Sequence, residues 1–287
     1  MVVTRTRSWT TVDVVKVFAH RGASSDYAEH TYAAFAHALV LGVDGIETDV
    51  QLSADGHLIC WHDATLNRTS SGTGPVRAQR LSDLRKLDVH SWKTTHPSGL
   101  HSLPARYTSP EGQLVTLEQL THLMVQAQYP VELALEMKIG AWPDGVIEDA
   151  VLEWLQRWGW DAATGTLMPD GEATDVSVSI MSFSTAALGH VADDVPATWL
   201  CQLVGTHDVD SRATGLIGPS VHWLTAPSAV DKWIQADRIV RMWTVETNEQ
   251  LRAAARLGVQ QVTVNDPSWA LQFNDAAPLP LLDRVDG

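Results

Sequence analysis

Seven side chains have types and spacings that could do chemistry together. His20 and His62 each follow a short β-rich run: His20-Arg21-Gly22 comes after 14–19 (VVKVFA), and His62-Asp63 comes after 58–61. Glu47 and Asp49 stand two apart in GIETDVQL (45–52), and Glu136 and Lys138 stand two apart at the end of the run 131–138. On a strand, residues two apart share a face. Each pair therefore points one way, while Ile46, Thr48 and Val50, or Leu135 and Met137, point the other. Three carboxylates brought to one spot cannot remain isolated buried charges. They require internal salt bridges, such as Glu136 with Lys138 or Glu47 with Arg21, or a hard divalent cation. An all-oxygen ligand set suits Mg2+ or Ca2+ rather than zinc. Histidine, with an unperturbed pKa of ~6.5, can give or take a proton near neutral pH.

The elements that must position these groups alternate. Short β-rich runs at 14–19, 45–52, 131–138, 176–183, 198–204, 216–224, 238–245 and 260–264 are separated by helical patterns at 31–41, 116–126, 142–158, from 185, and at 248–257. Strand–helix alternation of this length implies a parallel sheet. About eight such units favour closure into a (β/α)8 TIM barrel, an α/β fold whose usual length is ~250 residues. The run 58–61 follows Asp55-Gly56, a hairpin turn signal, so it extends the second strand as a hairpin. From Asn67 to Gly112 the chain is rich in Ser, Thr, Gly and Pro, with at most one short helix near 81–87. This reads as a small insertion after the second strand of one barrel domain spanning 1–287. Working groups in such barrels sit at the C-terminal strand ends. His20, Arg21, Glu47, Asp49, His62, Glu136 and Lys138 all fall there, and Trp243 falls at the end of the seventh.

Composition narrows the function. A net charge of −14 repels nucleic acid and anionic lipid surfaces. Cys60 and Cys201 form no CxxC and read as small buried apolar residues. No apolar stretch is long enough for a transmembrane helix, and 1–15 lacks the apolar core of a secretory signal, so the expected location is cytoplasmic. No GxSxG elbow, P-loop or GxGxxG occurs. His90, His96 and His101 fit no zinc spacing and read as a solvated loop. Trp154, Trp158 and Trp160 read as core.

The runs HRGASSDYAEHTYAAF (20–35), GIETDVQLSADGHLICWHDATLNRTSSGTG (45–74), LEMK (135–138) and MWTVETNEQLRAAARLGV (242–259) resemble the glycerophosphodiester phosphodiesterase family over about 14–269. The resemblance implies a (β/α)8 barrel with a segment inserted after the second strand. It also implies hydrolysis of small-molecule glycerophosphodiesters to glycerol 3-phosphate and an alcohol. His20 and His62 match the family's catalytic pair, Glu47, Asp49 and Glu136 its metal ligands, and Arg21 and Lys138 its phosphate-binding cations. The chain departs from the family pattern at His30, at Glu246, and at Asn265-Asp266.

In the mechanism this resemblance suggests, one histidine deprotonates the attacking oxygen and the other protonates the leaving alkoxide, with His20 as base and His62 as acid. The attacker is water or the glycerol 2-hydroxyl through a cyclic phosphate, and the second route is the one the resemblance suggests. Trp243 is a candidate wall for the head group, a choline ammonium for instance. Three competing readings are a lysophospholipase D-type enzyme acting on lysolipids, which needs an apolar channel, a barrel that binds phosphodiesters without cutting them, and a different metal hydrolase such as a sugar-phosphate enzyme, which the two-histidine arrangement disfavours.

Overall fold

The (β/α)8 barrel expected from the alternation is what forms. The computed structural model describes residues 15–93, 112–206 and 214–275. The strands are β1 (Lys16–His20), β2 (Gly45–Leu52), β3 (Leu58–Cys60), β4 (Val131–Met137), β5 (Val176–Ser182), β6 (Leu200–Val204), β7 (Leu216–Pro219), β8 (Ile239–Met242) and β9 (Gln261–Val264). All but β3 are parallel, and β1 pairs with both β2 and β9, which closes the ring. The helices are α1 (Tyr32–Val40), α2 (Leu81–Leu84), α3 (Leu117–Val125), α4 (Val146–Arg157), α5 (Thr185–Val191), α6 (Pro227–Gln235), α7 (Asn248–Arg256) and α8 (Pro267–Asp275). Among the described residues no helix is long and apolar enough to cross a membrane.

Local chemistry sets the helix starts. The Thr31 hydroxyl accepts from the Ala34 N–H to open α1, and reciprocal Thr–Gln capping boxes open α3 (Thr116, Gln119) and α7 (Thr247, Gln250). The helix expected over 142–158 starts only at Val146, because Gly145 takes a left-handed φ of 91° just before it. Two helices escaped the sequence reading, α6 and α8. Each begins with proline, which reads as a breaker but is well suited to the first helical position. The strand expected over 216–224 stops at Pro219, and 221–225 winds into a 3-10 turn. The last strands are likewise shorter than expected, β8 ending at Met242.

Strand alternation sorts the core. Ile46, Val50, Leu135 and Met137 pack outward in the layer between barrel and helices. Phe18, Ala134, Met181, Cys201, Leu203 and Leu216 form a separate apolar cluster against which Trp243 packs. Trp154 and Trp158 are buried, and both cysteines are buried and free. Beyond β3 the chain leaves the ring and builds a third cluster from Ile59, Trp61, Leu66, Val76, Leu81, Leu84, Val89 and Leu114. His96, His101 and the rest of 94–111 lie outside the described residues, as do 1–14, 207–213 and 276–287.

Candidate active site

The register of β2 assembles the site. Its first half pairs with β1, with His20 opposite Glu47, and the same edge then pairs with β3 from Val50 onward. The Arg21 N–H bonds the Glu47 carbonyl and the Trp61 N–H bonds the Asp49 carbonyl, each at 2.9 Å. β3 thus continues along β2 where β1 stops, and this brings His20 and His62 to one edge of the strand that carries Glu47 and Asp49. On the other edge β4 runs parallel with Glu136 opposite Asp49.

After His20 the backbone turns sharply. Arg21 adopts a left-handed φ of 59°, and a side chain at Gly22 would meet the Ala34 backbone at 2.6 Å. His30 is also left-handed, and its N–H returns to the Arg21 carbonyl at 3.0 Å. This loop aims the Arg21 guanidinium back at the strands, with Nε 3.0 Å from Asp49 Oδ2. Such backbone strain, about 1–3 kcal/mol per residue, is tolerated where the surroundings over-determine it.

Ligand atoms of Glu47, Asp49 and Glu136 all lie within 4.8 Å of one another, and all three residues are buried. Lys138 Nζ stands 2.9 Å from Asp49 Oδ1 and 2.5 Å from Glu136 Oε1. Of the two salt bridges considered from sequence, the Glu136–Lys138 pair forms, whereas the Arg21 guanidinium pairs with Asp49 and Glu29 rather than Glu47. Although Arg21, His30 and Lys138 stand at ion-pair distance from Asp49, neither of its buried oxygens accepts a well-directed hydrogen bond. Burial and the Asp49 charge push Glu47 well above the usual carboxylate range and Glu136 up to about 8. Asp49 is held well below that range: its burial is outweighed by His30, Lys138 and Arg21. The trio is therefore electrostatically frustrated, and its oxygen-only donor set with unused lone pairs fits a hard divalent cation.

The two histidines differ in what backs them. His20 Nδ1 lies 2.6 Å from Asn265 Oδ1, which also accepts from the Ser24 hydroxyl at 3.1 Å. That oxygen can only accept, so Nδ1 carries the proton and Nε2 has a lone pair. Burial and the charge of Arg21 lower the His20 pKa to about 4. His62 Nδ1 instead faces a carboxylate, Asp63 Oδ1, at 2.7 Å. Burial lowers the His62 pKa, opposed by the charge of Asp49 and the bond to Asp63.

Both histidines, Arg21, Glu47, Glu136 and Lys138 line one cavity of about 300 Å³, with Asp49 behind them. Its other side is formed by Met181, Phe183, Leu203 and Trp243. The Trp243 indole N–H donates to the Gly218 carbonyl at 2.7 Å, and its ring meets Phe183 edge-to-face with centroids 5.6 Å apart. The structure thus gathers all eight sequence-predicted side chains. Sequence reasoning missed Glu29, Arg68, Phe183 and Arg241, and gave Asp63 and Asn265 no role. The one local signal was that Asp63 and Asn265 sit at strand ends.

The glycerophosphoryl diester phosphodiesterase family model matches residues 20–268. A Mycobacterium tuberculosis protein named "Probable glycerophosphodiester phosphodiesterase 1" is 33% identical over 88% of this chain and 89% of its own length. A Caldanaerobacter subterraneus glycerophosphodiester phosphodiesterase is 27% identical over 90% of this chain and 96% of its own. In fold, the chain is similar to an Oleispira antarctica phosphodiesterase solved with its product sn-glycerol-3-phosphate. The TM-score is 0.73 at 21% identity, covering 92% of this chain and 98% of that one. A family match along most of the sequence, together with a relative one-third identical over nearly the whole of both chains, shows that this chain belongs to the glycerophosphoryl diester phosphodiesterase family and is an enzyme of that class.

Proposed function

We propose that the chain hydrolyses glycerophosphodiesters to glycerol 3-phosphate and an alcohol by two-histidine acid–base catalysis at a site that holds one divalent cation. The observation that carries this is the cavity itself: two differently backed histidines, Glu47, Glu136 and two cations line one small volume, with Asp49 clustered behind the two carboxylates. Glu47, Asp49 and Glu136 would hold Mg2+ or Ca2+, which supplies Lewis-acid neutralisation of the phosphoryl oxygens and of the attacking hydroxyl.

Arg21 and Lys138 orient the phosphate and offset the charge that grows on its oxygens. The His20 Nε2 lone pair, fixed by the Asn265 acceptor behind the ring, takes the proton of the attacking oxygen as its bond to phosphorus forms. The leaving P–O bond breaks with its electron pair on the alkoxide oxygen, and that oxygen takes the Nε2 proton of His62. The Asp63 carboxylate stabilises the charged form of His62, as an acid requires. Water and the glycerol 2-hydroxyl both fit as attacker, the second through a cyclic phosphate.

Trp243 and Phe183 form the apolar wall that would meet the head group. If choline is the alcohol, the indole face supplies a cation–π contact, and Trp243→Ala should weaken KM for glycerophosphocholine more than for glycerophosphoethanol. The lysolipid reading draws support from Phe183 and Ile139, which are exposed on the ends of neighbouring strands β5 and β4. Lysophosphatidylcholine set against glycerophosphocholine separates these substrates.

The primary test is release of glycerol 3-phosphate from glycerophosphocholine, with EDTA and then with Mg2+ or Ca2+ restored. Release that returns with the cation supports the reading. Release that survives complete chelation removes the cation from it. No release of glycerol 3-phosphate from any glycerophosphodiester or lysolipid, under either metal, removes catalysis and leaves a binding barrel.

A further inference from the structure

The two loops that carry Arg21 and His62 are joined by a side chain outside the cavity. Arg68 lies on the excursion that follows β3, with its side chain 44% exposed. Its guanidinium grips two carboxylates at once. Toward Glu29, Nη1 reaches Oε2 at 2.8 Å and Nη2 reaches Oε1 at 2.7 Å. Toward Asp63, Nε reaches Oδ2 at 2.8 Å and Nη2 reaches Oδ1 at 2.9 Å. The two oxygens shared by Nη2 are the ones that hold site residues. Glu29 Oε1 also accepts from Arg21 Nη1 at 2.9 Å, and Asp63 Oδ1 faces His62 Nδ1 at 2.7 Å. The chain of contacts runs Arg21–Glu29–Arg68–Asp63–His62 without a break.

We propose that Arg68 is a positioning residue that locks the loop after β1 to the excursion after β3, fixing the ring of His62 for proton donation; this rests on the two-histidine reading above.

Three physical arguments support it. First, the geometry is two bidentate forks, which hold direction as well as distance, unlike single-point ion pairs. Second, Gln51 Nε2 holds the His62 and Asp63 carbonyls at 3.0 and 2.6 Å, but among the described residues Arg68 is the cation whose fork holds the Asp63 carboxylate. β3 is three residues long and ends at Cys60, and the His62 side chain is about a third exposed. A ring this open keeps its orientation only if Asp63 is itself held. Third, Arg68 binds the ionised form of Asp63. Its hydrogen bonds are the largest influence on that carboxyl and hold it well below the usual range. The Asp63 oxygen that faces His62 therefore stays an acceptor for Nδ1–H, which turns Nε2 toward the cavity, where it carries the second proton when the ring is charged. Lysine could not replace it, because one ammonium cannot present paired N–H groups to two carboxylates.

The test compares two esters of glycerol 3-phosphate: glycerophosphocholine, whose alkoxide needs a proton to leave, and the p-nitrophenyl ester, whose phenolate leaves without one. His62→Ala is the reference variant, and Arg68→Ala and Arg68→Lys are the test variants, all assayed with the same divalent cation and checked for melting temperature. The expected result is that Arg68→Ala lowers kcat on glycerophosphocholine about 10- to 100-fold, as for a displaced catalytic group. The p-nitrophenyl ester should lose much less, and KM should change little. His62→Ala should show the same selectivity with a deeper loss, and Arg68→Lys should recover little.

If His62→Ala is selective for the choline ester but Arg68→Ala loses equally on both esters, or on neither, the positioning role is overturned while the two-histidine reading stands. Full recovery by Arg68→Lys would overturn the fork. If His62→Ala itself shows no selectivity, the two-histidine reading fails and takes this proposal with it.

Discussion

The barrel encloses two clusters of buried charge, and they are built in opposite ways. At the mouth, Glu47, Asp49 and Glu136 crowd together, with both Asp49 oxygens lacking a directed hydrogen bond. Four residues earlier on the strand that carries Glu136, Glu132 faces Arg241, which reaches the bottom of the same cavity. There the accounting closes. The Arg241 guanidinium bonds Glu132 Oε1, Ser179 Oγ at 3.0 Å and Gln261 Oε1 at 2.7 Å, and lies 4.1 Å from the centre of the Phe18 ring. Ser179 in turn donates to Glu132 at 2.6 Å. The satisfied cluster ties β4, β5, β8 and β9 together and has nothing left to offer a ligand. The other keeps lone pairs and repulsion that Arg21 and Lys138 offset only in part, a donor set that fits a cation. Buried charge by itself therefore does not mark a site; incomplete pairing does.

Three measurements press on this contrast. The largest effect belongs to the lower cluster: Glu132→Ala leaves the buried Arg241 charge unpaired and should destabilise the fold by about 3–5 kcal/mol, read from urea unfolding. A loss under 1 kcal/mol would mean that Arg241 finds another partner and that the cluster is not a closed unit. Next comes the mouth. Saturating Mg2+ or Ca2+ at about 100 times Kd should stabilise the wild type by about 2.7 kcal/mol. Glu47→Gln should abolish that gain while leaving the cation-free protein about as stable, since burial already holds Glu47 well above the usual carboxylate range. A cation-free Glu47→Gln protein that melts far lower would show Glu47 to be a structural member like Glu132. The smallest effect is Ser179→Ala, which removes one neutral partner below and should cost about 1–2 kcal/mol with kcat nearly unchanged. A large fall in kcat would mean that the lower cluster also shapes the reacting geometry.

Much of the site was legible because it obeys local rules. Period-two spacing put Glu47 with Asp49 and Glu136 with Lys138 on inward faces, and the barrel rule put the histidines at strand ends. The partners that make each group behave differently were not legible. Glu29 and Arg68 are 39 residues apart and meet through one bidentate fork, and Asn265 reaches His20 across 245 residues. No pattern along the chain encodes such meetings. Arg241 looked like an ordinary strand residue, and only ring closure brings Glu132 to it from four strands away. The proline-led helices α6 and α8 were missed for a different reason: proline stops a helix from within yet suits its first turn.

The sequence by itself determined the strand–helix alternation, the inward facing of the carboxylates, the presence of two strand-end histidines and the family resemblance. Periodicity and composition act over a few residues and need no knowledge of what lies across the ring. Tertiary structure alone decided which histidine is backed by an amide and which by a carboxylate, which salt bridges form, and which buried charges are left incomplete. Those outcomes depend on distances of a few ångströms between groups far apart in the chain. At that range a single well-placed oxygen decides what a side chain can do.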